Sequence, residues 1–276
     1  LFYQNLYGQH PYATPVNGDM DSARKLDRTA LLKFYQQYYV ARNAVVAMVG
    51  DISEKRAREI AEQLTAGLPE GNKASRVTPV TDLKKAINIT HQHPSSQTHI
   101  MIGQPGMMRG DADYFALYVG NHILGGSGFS SRIVEEVREK RGLAYSSYSY
   151  FIPMRDRGPF LMGLQTQNTQ AEQALKVLRE TLGRFISEGP SADELDHAIK
   201  NITGGFPLRI DSNRDIVGYL GMLGFYDLPL DYLQTFNHNI RQVTRERIQQ
   251  AFKSRIQPDR MLTVMVGNLD KASAKP

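Results

Sequence analysis

Two side chains stand out by type and spacing. Arg138 carries a fixed cation with five N–H donors, and Tyr145, seven residues on, carries a phenol that donates and accepts. They lie in the stretch 124–150, LGGSGFSSRIVEEVREKRGLAYSSYSY. Its order predicts a glycine turn, a short charged helix, a glycine stop and a strand. Gly125, Gly126 and Gly128 suit a tight turn or a close backbone approach. Ser130 or Ser131 is expected to cap the helix, whose one apolar edge is Ile133, Val134 and Val137. Arg138, Lys140 and Arg141 fall in its last turn, where cations complement the helix dipole. Gly142 fits a left-handed stop, and 143–150 reads as a strand rich in Tyr and Ser. One glycine corner then separates Arg138 from Tyr145, a geometry that could aim both at one point. From spacing alone the plainer reading is the stronger one: a solvated helix end and a packed strand tyrosine.

Metal chemistry has less to work with. His91 and His93 share a face of a predicted strand, with His99 nearby, but no third ligand stands at a sensible spacing. Glu194 and His197, i and i+3 on a predicted helix, look like half of a carboxylate-bridged site and read better as a surface pair. Neither H-E-x-x-H nor H-x-x-E-H occurs. The frame His122-Ile123-Leu124-Gly125-Gly126 puts glycines where the Glu and the second His would stand. Nucleophile elbow and P-loop patterns are absent too. By its own residues the chain holds no complete catalytic site and no metal site.

The elements that would position Arg138 and Tyr145 follow from periodicity. Residues 1–26 are full of turn chemistry and read as loop. Helices are expected over 28–39 and 53–64, with a buried strand at 44–49 between them. Residues 68–82, rich in Pro, Gly and polar side chains, are the linker candidate. Strands follow at 86–91 and 98–103, then a helix at 111–124. A strand at 158–167 is the hairpin partner of 143–151. A capping box at Thr169–Glu172 opens a long helix ending at Gly189-Pro190, and a second at Ser191–Glu194 opens the next. Helices over 210–225, 229–241 and 244–254 precede a closing strand at 261–266.

The composition bounds the class. With 276 residues, 41% hydrophobic and 22% charged, the chain has the make-up of a globular protein with a real core. A net charge of +5 without a basic tract gives no reason to infer nucleic acid. There is no cysteine, hence no disulfide framework or thiolate site, and no apolar run approaches a bilayer span. The chain opens Leu1-Phe2-Tyr3-Gln4, which reads as a piece of a longer polypeptide. One repeat is visible: 43–52 (NAVVAMVGDI) resembles 260–269 (RMLTVMVGNL), each after an amphipathic helix. It suggests two copies of one unit, the first represented by its end alone.

Four segments carry a family resemblance: HPYATPVNG at 10–18, FYQQYYVARNAVVAMVGDI at 34–52, ILGGSGFSSRIVEEVREKRGLAYSSYS at 123–149 and MVGNLD at 265–270. The chain resembles the pitrilysin/insulinase-type inverzincin metallopeptidases, in the bacterial processing-peptidase-like branch, over nearly its whole length. The resemblance implies an α+β fold of two-layer units, each an antiparallel or mixed sheet with helices on one face. It implies the C-terminal part of a first unit at 1–67, a linker at 68–82, a complete non-zinc second unit at 83–270, and a tail at 271–276. Zinc is expected in an upstream unit or a partner subunit, and this chain alone is expected to be inactive. Arg138 and Tyr145 take the family's substrate-holding roles near the scissile carbonyl, with an extended peptide adding as an edge strand. Expected partners are the peptide and the zinc-bearing unit, in the same polypeptide or in a homo- or heterodimer, and a bacterial periplasmic setting is favoured. The alternative is a structural or assembly subunit that keeps the fold without proteolysis.

Overall fold

The computed structural model describes residues 1–268, so the tail at 271–276 and the end of the 265–270 segment lie outside the described residues. The chain forms two compact units: Leu1–Ala13, Pro79–Gly204 and Thr235 onward in one, Thr14–Thr78 and Gly205–Gln234 in the other. One boundary, between Thr78 and Pro79, falls inside the segment of linker composition, 68–82, which holds no helix or strand past Leu68.

The first correction comes at the start, where α1 (Phe2–Tyr7) replaces expected loop. Helix wins because Phe2 and Leu6, at i and i+4, have a core to enter: they pack with Tyr7, Val80, Leu161, Leu262 and Val264. Next come α2 (Met20–Lys25), α3 (Arg28–Tyr38) and α4 (Glu54–Thr65), capped by Asp19, Asp27 and Ser53. Then follow β1 (Ile87–Gln92), β2 (Gln97–Pro105), α5 (Tyr114–Asn121), α6 (Arg132–Val134), β3 (Ala144–Phe151) and β4 (Pro159–Gln167). The chain closes with α7 (Ala171–Glu188), α8 (Ala192–Gly205), α9 (Asn213–Tyr226), α10 (Tyr232–Arg241), α11 (Arg245–Arg255) and β5 (Leu262–Gly267).

The five strands make one mixed sheet in the order β1-β5-β2-β4-β3. Only β1 and β5 pair in parallel, and β3 and β4 form the expected hairpin. The fold is therefore α+β. Strand alternation sorts the sheet's two faces. Phe160, Met162, Ile100 and Ile102 face the main helical layer, where Phe160, Phe252 and Phe185 make edge-to-face contacts. Leu161, Leu262 and Val264 face the opposite way, onto α1.

Two capping expectations met different fates. At Ser191–Glu194 the box is reciprocal: Ser191 N–H donates to Glu194 Oε2 at 2.6 Å, and Glu194 N–H donates to Ser191 Oγ at 3.1 Å. At Thr169–Glu172 a 3-10 turn over Asn168–Gln170 precedes α7 and the box does not form. The Asn168 side chain holds that turn by accepting from Thr98 Oγ1 at 2.8 Å and donating to the Ser95 carbonyl at 2.8 Å.

The second unit holds the larger correction. Residues 44–49, expected as a buried strand, have no regular structure, and Val45 is 50% exposed. A strand needs neighbours for its N–H and C=O groups, and none lies alongside among the described residues. The apolar face of α3 is equally bare, with Leu31, Phe34 and Tyr35 all exposed.

Candidate functional site

The backbone around Arg138 is less regular than periodicity implied. α5 runs into a π turn over His122–Gly126, and α6 lasts three residues before a second π turn over Glu135–Glu139. Such turns are rare and concentrate at functional sites. Ser131 precedes α6 but caps nothing with its side chain, since its Oγ donates instead to the Gly128 carbonyl at 2.7 Å. Gly125 is required for packing: a Cβ there would run into the backbone nitrogen and side chain of Ser149 on β3. Ser149 in turn donates to Asn121 Oδ1 at 2.8 Å and accepts from Asn121 Nδ2 at its carbonyl, at 3.2 Å. The glycine loop is thus bolted to β3.

The chain then turns at Gly142, in the left-handed region at φ 59°, and enters β3. The ladder to β4 slips immediately. Ala144 pairs with Thr166 and Ser147 with Leu164, so Tyr145 and Ser146 together face the single residue Gln165. A bulge of this kind breaks strand alternation and re-aims side chains, and both extra residues point outward.

Arg138 and Tyr145 do converge. The guanidinium carbon of Arg138 lies 4.8 Å from the centre of the Tyr145 ring, in cation–π contact. A third residue, Phe129, joins them from the 3-10 turn Gly128–Ser130, its ring centre 4.5 Å from the same carbon. Both rings are open to solvent, Tyr145 at 82% and Phe129 at 72%. Arg138 Nη1 is buried and has no hydrogen-bond partner among the described residues, while Nε lies 3.5 Å from Glu139 Oε1. A shielded guanidinium nitrogen without a partner is uncommon in a folded protein and marks the position as unusual.

The turn carrying Arg138 is fastened by Glu136, a buried carboxylate. It accepts from Lys140 Nζ at 2.7 Å and from Arg141 Nη1 at 2.7 Å, and lies 3.1 Å from Arg184 on α7. These partners, Lys140 foremost, hold its pKa down to about 2. α6 is fastened separately: Arg132 bridges to Glu194 at 2.5 Å and donates to the Gly189 carbonyl at 2.9 Å. Periodicity left Phe129 unassigned, because one aromatic among Gly and Ser has no pattern around it. The i,i+4 pair Glu136–Lys140 was readable, but its burial was not.

The other candidates stay apart. His91 and His99 both register with Val266, one on each side of β5. Two strand spacings, about 10 Å, separate them, and no third ligand joins them among the described residues. Glu194, expected as half of a surface pair with His197, is tied to Arg132 and its own cap instead. Both residues line a cavity of about 470 Å³ with His122, Ser127 and Ser130. Among the described residues no group of three or more His, Asp or Glu side chains could hold a metal ion. The donor set of the described residues does not fit a zinc centre.

Comparison with known proteins agrees with this picture. The family model described as "Peptidase M16 inactive domain" matches residues 25–202. An uncharacterised zinc protease of Streptomyces coelicolor is 30% identical over 230 residues, 80% of this chain and 49% of that protein. A Helicobacter pylori relative, 25% identical over 272 residues, 97% of this chain and 62% of its own length, is named a non-peptidase homologue. The crystal structure of a peptidase M16 inactive domain from Pseudomonas fluorescens is 40% identical with a TM-score of 0.92, covering 96% of this chain and 64% of that one. The chain spans about half the length of the first curated relatives it matches. A family model over more than half of the sequence, joined to a sheet and helix layer that superpose on a solved example, leads to one assignment: the chain belongs to the peptidase M16 family, as its inactive domain.

Proposed function

We propose that this chain is the substrate-holding, non-catalytic part of a zinc metalloendopeptidase that cleaves peptides in a closed chamber. The observation that carries this reading is Arg138, stacked on Tyr145 and keeping a buried Nη1–H without a partner. Both residues donate: Arg138 from Nη1 and Tyr145 from its exposed hydroxyl. An oxygen placed between them would receive two hydrogen bonds that strengthen as charge develops on it, as at a peptide carbonyl under attack. The edge position of β3 supports main-chain pairing with an extended peptide alongside Tyr145. Zinc and the general base belong to a zinc-bearing unit, in the same polypeptide or in a partner chain. In this reading residues 1–67 end a first peptidase-like unit, 68–82 link, and 83–270 form the second.

Peptide binding tests it. Arg138→Ala should weaken binding of an extended peptide to this chain by about 1.5–3 kcal/mol, and Tyr145→Phe by about 0.5–1.5 kcal/mol. Both should slow cleavage once the zinc-bearing unit is present, with melting temperature unchanged. Unaltered binding and turnover in both variants would remove the assignment. The name of the Helicobacter relative favours a second reading, a structural subunit that keeps the fold without proteolysis. That reading predicts no peptide binding by the unmodified chain.

A further inference from the structure

Phe129 is a large aromatic side chain left 72% exposed on a glycine loop, where burial gives it little reason to be ordered. Its ring nevertheless lies over the Arg138 guanidinium, on which Tyr145 also stacks. Gly128, at φ 67°, sets the direction in which the chain leaves the loop toward that position. The three side chains come from a 3-10 turn, a π turn and a β-bulge, so three of the irregularities in this stretch meet in one cluster.

We infer that Phe129 is a positioning residue for Arg138: with Tyr145 it fixes the guanidinium plane, so that Nη1–H meets a neutral acceptor oxygen edge-on between two apolar rings. This rests on the substrate-holding reading and names the ligand chemistry for it. A free arginine loses much side-chain entropy when it binds; a guanidinium already held by aromatic faces loses less. The chemistry suits a main-chain carbonyl better than a polyanion. Nearby Lys140 and Arg141 are engaged by Glu136, and Arg138 has aromatic flanks and the Glu139 carboxylate 3.5 Å from its Nε, which disfavours an anion. Phosphate binding would call for several free donors.

The test uses this chain and a fluorescein-labelled decapeptide amide of alternating alanine and threonine, which offers main-chain carbonyls and no charged side chain. Phe129→Ala and Phe129→Leu should each weaken its binding about two- to fivefold, the worth of an exposed cation–π contact, while Phe129→Tyr binds as the unmodified chain does. Leucine separates the two roles, since it packs but has no π face. In parallel, the Arg138 Nε–H proton is followed by ¹⁵N-resolved NMR. It should lose its ring-current shift and exchange faster in Phe129→Ala and Phe129→Leu, and keep both properties in Phe129→Tyr. Leucine behaving like phenylalanine in either assay overturns the inference. An unmodified chain that binds no peptide, or an Arg138→Ala variant that binds normally, overturns the substrate-holding reading itself. The NMR signature reports on the aromatic clamp independently of that outcome.

Discussion

At the scale of single residues, the run 135–141 shows how one cation is kept available inside a dense patch of charge. Glu136 draws Lys140 and Arg141 from its own turn and Arg184 from α7, and Lys140 also reaches Glu135. Those neighbours neutralise one another, and Arg138 keeps the aromatic rings and, 3.5 Å from its Nε, the Glu139 carboxylate. Stability should therefore depend on Glu136 ionisation. Its pKa is held from an ordinary 4.5 down to about 2, so its contribution is complete above the unfolded value and fades as pH falls from 4.5 through about 2. Glu136→Gln should cost about 1–3 kcal/mol near neutral pH, because it replaces a buried carboxylate held by three partly exposed cations with an uncharged amide. Its stability should also fall less steeply than that of the unmodified chain over the acid range. Denaturant unfolding at a series of pH values measures both, and parallel slopes for the two proteins would refute the role given to Glu136.

At the scale of elements, residue types were a good guide to most hydrogen bonds that close locally, the unformed caps at Thr169 and Ser131 excepted, and a poor one wherever a neighbour decides. The hairpin of β3 and β4, the stop at Gly142 and the box at Ser191 and Glu194 are local chemistry, and all could be read from residue types. The convergence of Arg138 and Tyr145 was legible for the same reason, since one glycine corner joins their elements. The π turns and the bulge were not. They depend on Gly125 seating against Ser149 and on where β4 can pair, which no periodicity records. α1 was missed because six residues are too few for a pattern, and its reason to fold is the sheet face it covers. Gly125 tests this view of the site as a packed junction. Gly125→Ala must push β3 or the first π turn aside, at about 1–3 kcal/mol for an overpacked contact. Amide shifts of β3 and of residues 121–131 should move together. A variant of unchanged stability, with shifts confined to the loop, would show that the glycine serves the turn alone.

At the scale of the whole molecule, the internal repeat offers a controlled comparison of one apolar pattern in two settings. In the repeat, Val45 aligns with Leu262, yet Leu262 is fully buried and Val45 is half exposed. The difference lies in the surroundings. β5 has β1 on one side and β2 on the other, with α1 against one of its faces, whereas 44–49 has no strand beside it among the described residues. Hydrophobic sequence is thus permissive for a strand, and the ladder of neighbours is what selects it. The exposed side chains of α3 fit the same account, since an amphipathic helix shows its apolar stripe wherever no second layer covers it. Paired substitutions put numbers on this. Leu262→Ala should destabilise its unit by about 2–5 kcal/mol through lost burial and a residual cavity, while Val45→Ala should stay within about 0.5 kcal/mol. Amide exchange should separate the two copies in the same way, slow across 262–267 and fast across 44–49. A cost at Val45 approaching that at Leu262 would mean that the first copy is covered in solution, and that its side chains are stabilised by burial as those of β5 are.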